Sequence, residues 1–235
     1  MTEPTLKLTL PPMIEVWQNT FNWQPSNEQQ VQFNHLYQTV ITANQHLNLT
    51  RITEETDFWE KHIWDSLAGI FPRLQPGELP DKGHLLDIGT GAGFPGLPIA
   101  ISCPNYQVTL LDSTQKKIAF VQNLIAQLGL QNAQGVPGRA EELYHKKSEQ
   151  NCYDLVTLRA VAPAPQCAKY ALPFLKLNGI AILYRGHWTV AEEESLHPVI
   201  DKLGGVLESV SAFKTPLTQS VRHCLYLRKI RLGKG

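Results

Sequence analysis

Glycine recurs at every second position within LLDIGTGAGFPGLPIAI, which spans residues 85–101. Gly89, Gly91 and Gly93 lack the Cβ atoms that would keep a ligand away from the backbone. The apolar run before them predicts a buried strand, and the residues from about Pro95 predict a helix whose free N–H groups face that ligand. The pattern therefore predicts a binding loop between a strand and a helix.

The loop differs from the two common phosphate-binding loops. Its glycines follow G-x-G-x-G, whereas the dinucleotide fingerprint is G-x-G-x-x-G, and no G-K-[ST] follows as in a P-loop. Asp87, two residues before the first glycine, would repel a pyrophosphate and favours a ligand with a positive group. Asp112 ends the next predicted strand, where an acid typically accepts hydrogen bonds from ribose hydroxyls. A ribose beside a cationic group points to S-adenosylmethionine (SAM), which carries an α-ammonium and a sulfonium.

Alternating strand and helix patterns surround this loop and predict the framework that positions it. Short apolar runs are typical of buried strands, and the longer amphipathic segments between them are typical of helices. Such alternation predicts an α/β fold with a doubly wound parallel sheet, closed by an antiparallel hairpin. The predicted strands cover residues 84–89, 106–113, 153–160, 179–186, 206–215 and 222–230, and the helices begin near 95 and cover 114–130, 164–177 and 189–203.

The chain before the loop has a helical pattern. Ser26 is a predicted N-cap with Gln29 three residues later, which is the spacing of a capping box. A second helix is predicted over residues 53–71, where Trp59 and Trp64 belong to an apolar stripe and are interpreted as core residues, not as platforms for base stacking. Prolines and glycines then interrupt the pattern over residues 72–83. We therefore expect a helical extension over residues 1–80 and a SAM-binding domain over residues 81–235.

Composition restricts the class of protein. No window approaches the roughly 18 uninterrupted apolar residues of a membrane span, and MTEPTLKLTL lacks the features of a signal peptide. The four cysteines are scattered, which predicts reduced thiols in a cytoplasmic protein and neither a metal site nor a disulfide framework. The formal net charge of zero disfavours a protein that coats nucleic acid non-specifically, but it permits a local basic patch.

Several motifs together resemble those of the bacterial ribosomal RNA small-subunit methyltransferase G family, formerly called glucose-inhibited division protein B. They are LLDIGTGAGFPGLPIAI, VTLLDSTQKKIAFVQ, GRAEE, YDLVTLRAVA and the helical segment NLTRITEETDFWEKHIWDSLAGI. The F-P-G continuation, the R-A after the strand YDLVTL and the N-L-T…H-x-x-D-S segment are more specific than the glycine loop, which class I SAM-dependent methyltransferases share. The resemblance implies a Rossmann-like seven-stranded sheet.

The resemblance also implies an activity and its site residues. The expected reaction is methyl transfer from SAM to N7 of one guanine in 16S rRNA near the decoding centre, guanine 527 in the usual numbering. The expected partner is therefore 16S rRNA or the small ribosomal subunit, and nothing in the sequence demands a dimer. The cofactor contacts that the motifs imply, together with those deduced above, are Asp87, Gly89, Gly91, Gly93, Phe94, Asp112, Ser113, Thr114, Ala140, Glu141 and Arg159.

Guanine N7 carries a lone pair and no proton, so its methylation requires alignment and not a general base, and we predict no catalytic acid or base. Arg159 is left open between the SAM carboxylate and RNA, and His62 is open between RNA contact and a structural role. The candidate RNA-binding cations are Lys61, His62, Lys116, Lys117, Arg139 and Arg185, with His187, Arg222 and the tail LRKIRLGKG as further candidates. Two other hypotheses remain: a SAM-dependent enzyme with a small-molecule or protein acceptor, and a non-catalytic SAM-binding regulator.

Overall fold

The computed structural model describes residues 9–75 and 77–232. The strands are β1 (Gly83–Ile88), β2 (Tyr106–Asp112), β3 (Ala133–Pro137), β4 (Tyr153–Arg159), β5 (Leu175–Arg185), β6 (Gly205–Lys214) and β7 (Val221–Lys229). The helices are α1 (Ile14–Phe21), α2 (Asn27–Leu47), α3 (Glu55–Phe58), α4 (Asp65–Ala68), α5 (Gly96–Ser102), α6 (Gln115–Gln127), α7 (Ala140–Leu143), α8 (Ala164–Ala171) and α9 (Val190–Lys202). A π-helical turn (Trp59–Trp64) joins α3 to α4.

The seven strands form one sheet in the order β3-β2-β1-β4-β5-β7-β6. All neighbours are parallel except β7, which is antiparallel to both β5 and β6. The chain leaves β1 towards β2 on one side and later returns to place β4 on the other side. The strand order therefore reverses between β1 and β4, and open α/β sheets bind their ligands beyond the carboxyl ends of strands at this kind of point.

Each face of the sheet has its own apolar core, because successive side chains of a strand point to opposite faces. Leu85 of β1 belongs to the core that α2, the α3–α4 segment, α5 and α6 cover. Leu86, the next residue, belongs to the core that α8 and α9 cover. The N-terminal helices thus share one continuous core with the sheet, in which Tyr37 and Phe58 are fully buried.

The N-terminal helices follow the predicted signals closely. Ser26 caps α2, and both hydrogen bonds of its capping box with Gln29 are present. The second predicted helix runs from Glu55 to Ala68 in three parts, with the π-helical turn in the middle. Trp59 and Trp64 are 2% and 4% exposed, which confirms that both are core residues.

Two parts of the sequence-based assignment need correction. The edge strand β3 was not singled out, because its sequence AQGVP is short, contains glycine and proline and lies at a partly exposed edge. The helix expected over residues 164–177 ends at Ala171, and β5 begins at Leu175, four residues earlier than the predicted strand. Pro173 explains the early end, since proline has no N–H group to continue the helical hydrogen bonds and its ring clashes with the preceding turn.

Candidate active site

The glycine loop lies at the point where the strand order reverses. Gly89, Gly91 and Gly93 have φ angles of +71°, +61° and +100°, which glycine adopts far more easily than other residues. The N–H groups of Gly89 and Thr90 both donate to the carbonyl oxygen of Leu111, at 2.8 and 3.0 Å, and so hold the loop against the end of β2. A Cβ at Gly89 would lie 2.7 Å from Val161 Cγ2 after β4. The loop therefore requires glycine for both conformation and space.

Asp112 holds the loop and the next helix together. Its Oδ2 accepts a hydrogen bond from Gly91 N at 3.0 Å, and its Oδ1 accepts one from Thr114 N at 2.8 Å. The residue is only 8% exposed. Because a carboxylate has about four lone-pair sites, each oxygen keeps capacity for one further donor. Asp112 can therefore accept hydrogen bonds from a pair of ligand hydroxyls without releasing the backbone.

Asp87 has a different position from the one expected for a ligand contact. It is fully buried, its Oδ2 accepts from Gly96 N at 2.9 Å, and its Oδ1 accepts from Thr157 Oγ1 at 2.9 Å. Burial raises the pKa of this carboxyl, although the hydrogen bonds from Thr157 and Gly96 oppose that shift. Asp87 thus lies beneath the loop and ties β1 to β4 and to the start of α5.

A cavity of about 180 Å³ opens beside the glycine loop. Its lining brings together Gly89, Asp112, Ser113, Ala140 and Glu141, which were predicted, with six residues that the sequence did not assign to the cofactor: Ile88, Leu111, Gly138, Arg139, Val161 and Tyr170. The polar side is the Asp112 carboxylate, and the apolar side is formed by Ile88, Leu111 and Val161. This donor and acceptor set fits an adenosine, whose ribose needs acceptors and whose base needs an apolar slot.

We call this cavity beside the glycine loop the cofactor cavity. Glu141 and Tyr170 both belong to its lining. A hydrogen bond from the Tyr170 hydroxyl lowers the pKa of Glu141, and the same bond raises the pKa of Tyr170. Glu141 therefore stays ionised at neutral pH. Its carboxylate is an acceptor for a ligand N–H group at the mouth of the cavity.

A second cavity, of about 400 Å³, lies at the carboxyl ends of β4 and β5 and at the start of β7. We call it the acceptor cavity. It is lined by Asp65, Arg159, Ala160, Tyr184, Arg185, Gly186, His187, Glu192, Phe213, Arg222, His223 and Cys224. Ala160 lines this cavity and Val161 lines the cofactor cavity, so both cavities include residues at the exit of β4.

Arg159 joins the acceptor cavity to the N-terminal helices. Its guanidinium donates to Lys61 O at 2.9 Å and to Asp65 Oδ2 at 3.3 Å, and it faces His62 Nδ1 at 3.3 Å. Its Cζ also lies 5.6 Å from the centre of the Phe94 ring. Arg159 therefore lies between the glycine loop, which carries Phe94, and the acceptor cavity, while Phe94 itself is 5% exposed and outside the cofactor lining.

His62 is partly buried in this cluster, between Phe94 and Thr50. The ring stacks on Phe94 with centroids 4.5 Å apart, and its Nε2 lies 2.7 Å from Thr50 Oγ1. Burial, together with the charges of Arg159 and Lys61, lowers its pKa to about 3. The imidazole is thus neutral and has structural contacts, and a direct contact of His62 with RNA stays a prediction.

The remaining candidate cations lie in different settings. Lys116 and Arg139 are exposed, and Lys117 is partly exposed. Arg139 also lines the cofactor cavity. Lys61 is engaged by Asp57 at 2.8 Å, and Arg185 is engaged by Glu192 at 3.1 Å.

The basic tail provides fewer available cations than its sequence suggests. Lys229 is 4% exposed and donates to Leu172 O, and Arg231 pairs with Asp201 at 2.6 Å. Residues 233–235 lie outside the described residues. Burial lowers the pKa of Lys229.

Two searches of the described residues complete the survey. Across residues 9–75 and 77–232, no helix is long and apolar enough to cross a membrane. Within the same ranges, histidine, cysteine, aspartate and glutamate side chains do not converge in groups of three or more that would hold a metal ion.

Comparisons with known proteins were made by family, by sequence and by structure. A family model described as rRNA small subunit methyltransferase G matches residues 29–223. Ribosomal RNA small subunit methyltransferase G from Trichormus variabilis is 52% identical over 222 residues, which cover 94% of this chain and 91% of the relative. The protein of that name from Microcystis aeruginosa is 50% identical, over 94% of this chain and all of the relative.

Solved structures at low identity share the fold. The structure of TYW2 from M. jannaschii in complex with AdoMet gives a TM-score of 0.52 at 16% identity, covering 65% of this chain and 71% of that one. A 16S rRNA (adenine(1408)-N(1))-methyltransferase from Catenulisporales acidiphilia gives 0.54 at 16% identity, covering 65% and 87%. The seven-stranded sheet is that of the class I SAM-dependent methyltransferases, as the sequence motifs imply.

Proposed function

Because the chain belongs to the rRNA small subunit methyltransferase G family, we propose that it methylates N7 of a single guanine of 16S rRNA near the decoding centre, guanine 527 in the usual numbering. The family membership makes the chain a methyltransferase and SAM its methyl donor. The choice of a ring nitrogen in a guanine is our extension. The observation that carries this extension is the acceptor cavity, which lies, like the cofactor cavity, at the exit of β4 and is lined by three arginines.

The residues of the cofactor cavity have separate roles in holding SAM. Asp112 accepts from the two ribose hydroxyls, and Glu141 accepts from a donor of the adenine, with Ala140 at its side. Gly89 and Gly91 let the cofactor approach the backbone, while Ser113 and Thr114 border the ribose end. When bound, SAM supplies an electrophilic methyl group on a sulfonium.

The chemistry at guanine N7 needs no proton transfer by the protein. The N7 lone pair forms the new C–N bond as the S–CH₃ bond breaks, and the bonding electrons remain on sulfur in a neutral thioether. The base becomes cationic, and no proton leaves. The protein therefore contributes alignment, exclusion of water and electrostatic support. Among the charged groups of the acceptor cavity, Asp65 is paired with Arg159 and Arg222, and Glu192 is paired with Arg185.

RNA is the acceptor that best fits the surface around the two cavities. Lys116 and Lys117 lie in the first turn of α6, Arg139 lines the cofactor cavity, and Arg185 and Arg222 line the acceptor cavity. We propose that these cations contact phosphates of 16S rRNA in the small subunit, with the protein acting as a monomer. We also propose that residues 1–80 are the extension of a SAM-binding domain formed by residues 81–235.

The decisive test uses methyl-labelled SAM with small ribosomal subunits that lack the modification, with naked 16S rRNA in parallel. Labelled RNA is cleaved with borohydride and aniline, which cut at N7-methylguanine. We expect label in RNA and one cut site. Label transferred only to small molecules or protein would support that acceptor class instead, and SAM binding without any turnover would support a regulatory module.

The basic patch has its own test. Reversing the charges of Lys116 and Lys117 to glutamate should weaken RNA binding and reduce the salt slope of log K by about two, because each lost phosphate contact releases about one counterion fewer. Glu142 is exposed on the nearby α7, and Glu142→Gln is the matched control, with an unchanged slope expected. An unchanged slope in the Lys116/Lys117 variant would exclude the patch.

A further inference from the structure

Asp65 is the more buried of the two carboxylates that line the acceptor cavity. Its side chain is 9% exposed, whereas that of Glu192 is 37% exposed and is paired with Arg185 at 3.1 Å. Asp65 begins α4, directly after the π-helical turn, and belongs to the H-x-x-D-S segment of the sequence. Its residue type and spacing alone assign it no role, yet the fold places it in the lining of the cavity beside β4 and β7.

The contacts between Asp65 and its two arginine partners are long. Arg159 Nη1 lies 3.3 Å from Oδ2, and Arg222 Nε lies 3.4 Å from Oδ1. Charge-assisted hydrogen bonds are usually about 2.7–2.9 Å long. Both arginines also donate elsewhere, to Lys61 O at 2.9 Å and to Val221 O at 3.0 Å. The carboxylate therefore keeps lone pairs for a planar pair of donors.

Two positively charged side chains, Arg159 and Arg222, lie beside the buried carboxyl of Asp65. Burial raises its pKa, and the charges of Arg159 and Arg222, with the hydrogen bond from Arg159, oppose that rise. Tyr184, Cys224, His223 and Phe213 line the same cavity, together with Arg185. An occupant that brings two N–H donors would thus find an anionic acceptor in a mostly cationic cavity.

We propose that Asp65 recognises the Watson–Crick edge of the acceptor guanine, accepting hydrogen bonds from N1–H and the N2 amino group. This inference rests on the proposed function, which supplies the guanine. Guanine presents two parallel donors on that edge, a fork like the one arginine presents to a carboxylate. Adenine has an acceptor at N1, which the carboxylate repels. Recognition at this edge leaves N7 free to face the cofactor cavity.

The same contact favours the reaction as well as the choice of base. Methylation at N7 gives the purine a positive charge, which spreads over the fused rings. A fixed carboxylate at the N1–N2 edge interacts more favourably with that cation than with the neutral guanine. The side chain therefore binds the transition state more tightly than the ground state.

The test compares guanosine with inosine at the target position of small subunits reconstituted from ligated 16S rRNA. Inosine lacks only the N2 amino group. The wild-type enzyme should methylate inosine about 10-fold less efficiently in kcat/KM, because one hydrogen bond to a charged group is lost. In Asp65→Asn, which replaces one acceptor oxygen by a donor, guanosine and inosine should differ by less than about 3-fold.

Glu192→Gln is the matched control, since it neutralises the other carboxylate of the same cavity, and its guanosine-to-inosine ratio should remain that of the wild type. If the role of Asp65 were purely structural, Asp65→Asn would lower kcat/KM equally for guanosine and inosine and leave their ratio unchanged. That result would overturn the proposal. If the variant does not fold, as SAM binding would show, the wild-type ratio decides alone, and equal use of both bases refutes the proposal.

The two proposals fail in different ways. Guanosine-containing subunits that are methylated at N7 without discrimination against inosine would contradict only the role of Asp65. Guanosine-containing subunits that accept no methyl group would contradict the proposed function and the role of Asp65 together.

Discussion

Replacing Glu60 by glutamine should destabilise the protein by about 2 kcal/mol, because a buried carboxylate that accepts several hydrogen bonds loses its charge. Glu60 lies in the π-helical turn and is fully buried. Its Oε1 accepts from Leu217 N at 2.6 Å and from Thr218 N at 2.9 Å, and its Oε2 accepts from Thr218 Oγ1 at 2.5 Å. These bonds attach the turn between β6 and β7 to the N-terminal helices.

The magnitude follows from those contacts. Glutamine preserves the volume of the side chain, so no cavity forms, but its oxygen is uncharged and its amide replaces one acceptor. Hydrogen bonds to charged groups contribute about 1.5–3 kcal/mol each, and the amide recovers part of that. A loss of about 2 kcal/mol lowers Tm by roughly 4–8 °C in a protein of this size.

The pH dependence gives a second, independent expectation. Burial raises the pKa of Glu60, and the bonds from Thr218 and Leu217 outweigh it, so the pKa lies below its ordinary 4.5. A lowered native pKa means that the stabilisation is complete above the ordinary value and is lost as the pH falls through the native one. The difference between wild type and Glu60→Gln should therefore be full at pH 7 and shrink below about pH 4.5.

Urea unfolding at pH 7 and at several acidic values measures both quantities. Glu194→Gln is the control, because Glu194 is exposed in α9 and its loss should change stability by less than about 0.5 kcal/mol. Equal stability of wild type and Glu60→Gln at pH 7, or a difference that does not change in acid, would refute the reasoning.

Three further expectations concern the cofactor loop and its surroundings. Asp112→Asn should raise the Kd of SAM by about 10- to 100-fold in calorimetry, because the ribose bonds and the ties to the loop are charge-assisted; an unchanged Kd excludes Asp112 as the ribose acceptor. Gly89→Ala should destabilise the protein by more than Gly129→Ala, since both glycines have positive φ (+71° and +68°) but only the first has a close neighbour, Val161. Chemical denaturation measures both, and equal losses would show that the contact is unimportant. His62 should stay neutral down to about pH 4 in an NMR titration, as its pKa of about 3 implies. Its buried neutral ring therefore makes stability fall between pH 6.5 and 3, and titration near pH 6.5 would contradict the enclosed position.

The sequence predicts the fold well wherever local signals agree. The capping box at Ser26, the apolar strand runs and the closing hairpin appear in the structure as expected. The sequence pattern does not predict β3, because an edge strand with glycine and proline has little β propensity of its own. It forms by pairing with β2. Pro173 ends α8 at Ala171, although the helical spacing of apolar residues continues beyond that point.

The site was predictable in part, for a similar reason. Spacing along one chain identified Asp112 and the glycine loop, since they lie close in sequence to the strand ends. It could not show that the Asp87 side chain lies beneath the loop, because the orientation of this buried side chain depends on its hydrogen bond from Thr157 of another strand. It also could not assign a role to Asp65, because its partners Arg159 of β4 and Arg222 of β7 lie more than 90 and more than 150 residues away in the sequence.

The π-helical turn sets the directions of the side chains on either side of it. A π-helix contains about one residue more than the α-helix it interrupts, and α-helical residues advance by about 100° each. The residues before and after the turn are thus out of phase, so that Glu60, His62 and Asp65 reach the β6–β7 turn, the glycine loop and the acceptor cavity respectively. Deleting one codon within residues 59–64 would restore the α-helical phase and turn Asp65 away from the cavity. A single additional residue in this helix is therefore sufficient to direct the three side chains to three different parts of the molecule.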